Sequence, residues 1–225
     1  PRGGGAVGLI LTALLVPGAV GMWLVLAGRG LGRRTAYILA LVATLVALAA
    51  TIGVVIAGAH VRRPWISSLG IDWAFASDWI TTPLILLTAS IALLVVVHGG
   101  RHAPYGQPGL YFGCVLLVEL GALATFLARD IVLFFVAFEI VLVPMWVLIS
   151  RYGDPHDPRA RADAAGRFVL YTVLGSSTML TGILALAKFA GTTDMRLIPT
   201  SALTDRQQLL VALLLSVGPA AKRPP

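Results

Sequence analysis

Long apolar runs separated by short polar links dominate this chain. Runs at 6–27, 37–59, 79–98, 110–128, 131–150 and 168–190 each approach or exceed the ~20 residues that a helix needs to cross a bilayer. A seventh run starts near Leu209 and is cut off. The runs are continuous and not alternating, so helices are predicted and not barrel strands. The first run is too long for a signal-peptide core and shows no clear cleavage site. The 60–78 link contains Trp65 and Trp73, and Trp79 follows directly. Tryptophan favours the headgroup level, so this link is expected to lie along the membrane surface. The 151–167 link is rich in Arg, Asp and Pro, and its Pro155 and Pro158 predict irregular backbone.

Composition narrows the class. Of 225 residues, 58% are hydrophobic and 12% charged, with a mean hydropathy of +0.90. A soluble domain carries about 25% charged residues, so this chain cannot coat a globule. The high hydrophobicity excludes disorder, and a single cysteine, Cys114, excludes a disulfide scaffold. The expected fold is an all-α, polytopic transmembrane helical bundle of six spans plus a truncated seventh, with 1–109 forming an N-terminal three-helix region. The net charge of +7 would point to nucleic acid in a soluble protein. Here the arginines sit in short links, as in cytoplasmic loops of membrane proteins, and no nucleic-acid partner is expected. Arg29, Arg33, Arg34, Arg101, Arg151, Arg159, Arg161 and Arg167 lie in the first, third and fifth links, against Arg2, Arg62, Arg63, Arg129, Arg196, Arg206 and Lys188 on the opposite side. Their narrow excess over the opposite side puts the N-terminus outside. The chain begins with Pro1 instead of Met and stops at Lys222-Arg223-Pro224-Pro225, which reads as a fragment or a truncated gene product.

The few intramembrane charges carry the candidate chemistry. Glutamate occurs at Glu119 and Glu139 only, each near the middle of an apolar span. An ionised carboxylate there costs on the order of 2.5–3.5 kcal/mol on insertion scales, so such residues mark ion pathways by default. The alternative is a protonated or hydrogen-bonded structural group in a helix contact. Only Arg129-Asp130 joins the two spans, which predicts antiparallel neighbours, and Asp130 is expected to cap the second of them. Both glutamates lie at a similar distance from that turn, about 13–15 Å by helix rise. Whether they face one another stays open. Pro144 follows Glu139, and its ring frees the Ile140 carbonyl and predicts a kink. Lys188 is expected to snorkel from a span end. Lys222, in the Pro/Gly-broken SVGPAAKRPP, is either a proton-exchanging group or a charged terminus. Arg167 either pairs with a carboxylate or sits at the interface. His98 and His102 are four residues apart, but Gly99-Gly100 is expected to break the helix that would align them. No metal site, phosphate loop, dinucleotide fingerprint, or haem or iron–sulfur spacing is found, so no cofactor is expected within this chain.

The stretch FLARDIVLFFVAFEIVLVPMWVLI resembles the fifth-helix region of NADH-quinone oxidoreductase subunit M, an antiporter-like membrane subunit of respiratory complex I. Asp130, Phe134, Phe135, Glu139, Pro144 and Met145 carry the match. RADAAGRFVLYTVLGSSTMLTGILAL resembles the next helix, with Arg167 where the family usually has Lys. LGIDWAFASDWITTPLILLT resembles the entry to the third helix. The resemblance implies an antiporter-like fold with two inverted repeats, the first of them starting at the fourth span, so that 110–225 holds its helices four to seven, truncated. It implies a working pair of Glu139 and Lys222, with Glu119 and Arg167 along a possible proton pathway. It also implies a non-redox, proton-translocating role in the lipid bilayer of a bacterial inner membrane. NADH, flavin, iron–sulfur clusters and quinone would belong to partner membrane and peripheral subunits of complex I. Two alternatives stay open: a subunit of a multi-subunit sodium/proton antiporter, and a non-functional truncated fragment.

Overall fold

The computed structural model describes residues 3–66, 70–102, 106–198 and 203–221. Eight α-helices follow the apolar runs: α1 (Gly3–Ala27), α2 (Arg33–Ala57), α3 (Thr81–Arg101), α4 (Pro108–Leu127), α5 (Ile131–Ile140), α6 (Leu142–Tyr152), α7 (Pro158–Ala190) and α8 (Asp205–Ala221). By length and hydropathy six spans suffice to cross a membrane, with α5 and α6 together forming one of them. The all-α bundle expected from the apolar runs is what is observed.

Small residues hold the helices together. Between helices in lipid there is little hydrophobic driving force, so close backbone approach and dispersion contacts dominate. On α2 the buried face is a stripe of Ala36, Ala40, Ala43, Ala47 and Ala50. Its bulky residues point the other way, and Ile38, Val42, Leu45, Ile52 and Ile56 are exposed. α4 is the most buried span and packs on α1, α2, α3, α5 and α6. It crosses α1 so closely that a Cβ added to Gly113 would lie 2.8 Å from the Gly21 carbonyl oxygen. Two apolar clusters stack along α4, one including Leu123 and Leu127 and the other Phe112 and Leu116.

Three links differ from the sequence expectation. The 60–78 link does more than lie along a surface. It folds as an antiparallel hairpin of β1 (His60–Ile66) and β2 (Ile71–Ala76). The 151–167 link is irregular only at its start, because Asp157 accepts from the amides of Arg159 and Ala160 and caps α7. Pro158 then occupies the first helical turn, where its missing N–H costs nothing. Finally, α3 runs unbroken through Gly99-Gly100, and the His98 and His102 rings stack at 4.8 Å.

A polar clasp closes the hairpin end of the bundle. Asp130, 1% exposed, caps α5 as expected by accepting from the Val132 and Leu133 amides at 2.9 and 3.2 Å. Its other oxygen accepts from the Thr193 hydroxyl at 2.5 Å and the Asp72 amide at 3.3 Å. Backbone bonds run in parallel: Arg129 N–H donates to Ala74, Ile131 N–H to Thr193 and Met195 N–H to Arg129. Arg62 bridges Asp72 and Asp194, each at 2.5 Å. Arg129 donates to Asp78 at 2.9 Å and to the Thr81 hydroxyl at 3.2 Å. Asp72 first, then Asp194, hold the Arg62 guanidinium charged above its ordinary range, against an opposing effect of burial. Burial pushes the Asp194 carboxyl up, but hydrogen bonds from Arg196 and Arg62 outweigh it and the net shift is below the ordinary 3.8. Asp78 behaves alike, with Thr81 hydrogen bonds and the Arg129 charge overcoming burial.

Two outcomes follow from this packing. Replacing Ala43, 1% exposed, by Leu inserts bulk into the alanine stripe. The expected cost is about 1–3 kcal/mol, read as a lower Tm of the chain in detergent, while Val42→Leu on the exposed face leaves Tm unchanged. Asp194 and Asp78 have depressed folded pKa values, so their contribution is complete above the ordinary 3.8 and is lost as pH falls below it. Hydrogen exchange of the Arg129 and Met195 amides is expected to stay slow from neutral pH to about 4 and to lose protection only below that, after correction for intrinsic rates.

Candidate functional site

The site is built on the antiparallel pair α4 and α5, whose turn the Asp130 clasp anchors. Glu119 lies on α4, between the two apolar clusters, and Glu139 lies on α5. The helices meet at Gly121. A Cβ there would lie 2.5 Å from Val141 Cγ2 and 3.3 Å from the Ala137 carbonyl oxygen. A glycine two residues past Glu119 therefore packs against the backbone on both sides of Glu139. That contact sets the two glutamates at comparable depth.

The helix is interrupted at Val141, between α5 and α6. The Val141 amide donates to the Glu139 carbonyl and so leaves the Ala137 carbonyl, its usual helical acceptor. Pro144 has no N–H to offer Ile140, and it falls in the first turn of α6, where no intrahelical donor is needed. Breaks of this kind are tolerated at membrane depth when they face protein or a cavity. Here the break faces the Gly121 notch.

The two carboxyl groups have different surroundings. Glu119 is 2% exposed, and neither of its oxygens has a hydrogen-bond partner. It lines a cavity of about 340 Å³ between α3, α4 and α6, together with Thr88, Ala92, Ala122, Met145 and Leu148. Glu139 is half-buried, its Oε1 is buried without a partner, and it is not among the cavity's lining residues.

The other candidates fall elsewhere. Lys222 lies outside the described residues, so its relation to Glu139 is not seen. Arg167 sits inside α7, which starts at Pro158 and not near Phe168. It is exposed, and among the described residues it makes no ion pair. Among the described residues no group of three or more metal-binding side chains converges. One residue escaped the sequence reading: Thr172 on α7 is 1% exposed, and its hydroxyl has no partner. Thr51 and Thr125, by contrast, donate to carbonyls of their own helices. Nothing in the sequence distinguishes these threonines, because burial is a tertiary property.

Comparison with known proteins places this arrangement. Residues 128–225 match the family described as NADH:quinone oxidoreductase/Mrp antiporter, TM. The chain is 38% identical over 126 residues to an NAD(P)H-quinone oxidoreductase chain 4 of a Synechococcus strain, an alignment covering 56% of this chain and 23% of the relative. The same protein of Trichodesmium erythraeum is 31% identical over 163 residues, covering 72% of this chain and 30% of the relative. The chain thus spans about a quarter of the length of the curated relatives it matches. Among solved structures, a chain of respiratory complex I from Thermus thermophilus with bound NADH superposes with a TM-score of 0.78 at 26% identity, over 93% of this chain and 43% of that one. A chain of the Mrp complex from a Dietzia species superposes at 0.80 with 21% identity, over 94% of this chain and 23% of that one, a likeness of fold alone. The chain is a multi-pass membrane protein with the fold of the antiporter-like subunits of such complexes, and from residue 128 onward it is similar in sequence to the NADH:quinone oxidoreductase/Mrp antiporter family.

Proposed function

We propose that this chain acts as a proton-translocating membrane subunit of an NADH-quinone oxidoreductase. The observation that carries the reading is Glu139. It is an acid at mid-span beside a helix break, with one oxygen buried and unpartnered, inside the segment that matches the family. Such a group has no structural partner to explain it and sits where polar residues mark ion pathways. Glu139 takes up a proton and passes it on, with Lys222 as the partner base. Transfer follows from moving the two charges together or apart, because opposite charges attract strongly in low dielectric. The chain holds no redox chemistry of its own. NADH oxidation, flavin, iron–sulfur clusters and quinone belong to partner subunits, which act on this one through conformation or charge. The N-terminus and the hairpin clasp lie on the outer face of a bacterial inner membrane, as the arginine distribution favours.

The likeness of fold to a chain of the Mrp complex favours one second reading, a sodium/proton antiporter subunit with no redox partner. Copurification separates the two, since flavin and iron–sulfur subunits accompany the chain only in the first.

Glu139→Gln in the assembled complex keeps the shape and removes the exchangeable proton. The expected result is NADH oxidation that continues while protons moved per NADH fall by about tenfold or more, the scale of losing a positioned acid–base group. Proton-pulse or dye measurements in vesicles check this. An unchanged stoichiometry overturns the assignment.

A further inference from the structure

The Glu119 cavity is not used by the Glu139 reading, yet it is the more unusual environment. A buried carboxyl group with two free oxygens costs several kcal/mol if ionised, unless a proton or a cation joins it. Among the described residues no side chain hydrogen-bonds either oxygen. No other titratable side chain lines the cavity. α1 carries no ionisable side chain, and those of α2 and α3 lie towards their ends, at Arg33, Arg34, Tyr37, His98 and Arg101. Glu139, across the Gly121 contact, is itself an acid.

The walls decide what may enter. A hard metal cation takes about six or more oxygen ligands, the number seen for calcium and magnesium. This cavity offers the two Glu119 oxygens and the Thr88 hydroxyl, whose proton is committed to the Leu84 carbonyl at 2.8 Å. The remaining lining residues are apolar side chains. A proton needs no such shell. The space of about 340 Å³ has room for a water beside the Glu119 oxygens, which supply the polar partners that a buried water needs. Of its apolar lining residues, Ile91 and Val95 on α3 are exposed.

We propose that the α3–α4–α6 cavity is a second proton site of this chain, in which Glu119 takes up and releases protons and no metal cation binds. The inference deepens the proposed function and rests on it for what the proton is used for. The site itself stands on the cavity and its unpartnered acid. Glu139 and Gly121 are not among the residues that line the cavity.

A hydrophobic carbodiimide tests this, because it reacts with protonated carboxyl groups in apolar surroundings. The acid oxygen adds to the central carbon of dicyclohexylcarbodiimide and the acid proton goes to a nitrogen. An oxygen-to-nitrogen acyl shift then leaves a stable N-acylurea, with nothing oxidised or reduced. Membranes containing the full chain are treated, and the peptides are mapped by mass spectrometry. The expected result is modification at Glu119 that disappears in Glu119→Gln, slows severalfold in Ala122→Phe, and is the same with or without sodium chloride at constant ionic strength. Ala122→Phe keeps the acid and fills the cavity, so it guards against loss of folding in the first variant. No modification of Glu119 in the wild-type chain overturns the proposal, as does a rate untouched by Ala122→Phe. Protection by sodium overturns it in favour of a cation site. Pumping is not read here, so failure of the Glu139 test and failure of this one remain separate results.

Discussion

A carboxylate taken out of water must be met by donors or it destabilises whatever surrounds it. Asp130 meets that condition by accepting from two amides of α5, one amide of the hairpin and one hydroxyl of the α7–α8 link. Three segments far apart in sequence are thereby held at one point. Those segments would otherwise be loops at the end of a bundle whose helices attract one another only weakly in lipid. With the α4–α5 turn anchored there, the register of the two helices is set from one end. The Gly121 contact sets it again near the middle.

Between those two fixed points the sequence places two acids, and the packing sends them to different surroundings. Glu139 borders a helix break whose carbonyls are not all used by the helix. Glu119 on α4 lines a cavity of apolar walls. Neither position is a consequence of hydrophobic burial. Each survives because the helices approach through glycine and alanine, which leaves room for a broken strand of backbone and for an unfilled space. On α2 the bulky residues are turned outward and the small ones inward.

The fold is shared by a chain of respiratory complex I with bound NADH and by a chain of an Mrp complex. The architecture alone therefore says where an ion can be held and not what drives it. In this chain the distinction rests on chemistry near the acids. A site with many oxygens favours a metal cation, and a site with one acid and apolar walls favours a proton. The described part of the chain has the second kind at Glu119.

Much of the architecture was legible in the chain itself. Continuous apolar runs dictate helices, since in lipid each backbone polar group must be satisfied within its own segment. The scarcity of charge made Glu119 and Glu139 visible, and the Arg129-Asp130 turn placed them at similar depth and named the cap. The tertiary structure decided what depends on neighbours. The hairpin at 60–76 pairs strands that show no regular alternation, so its tryptophans suggested only a surface segment. Pro158 opens a helix because Asp157 caps it, a choice that local proline chemistry leaves open. The break before Pro144 falls at Val141 because Gly121 of another helix admits it there. Which acid would face a cavity, and which hydroxyl would be buried alone at Thr172, depends on the side chains that pack around each. A single chain's pattern carries the period of its helices but not the faces they turn to one another.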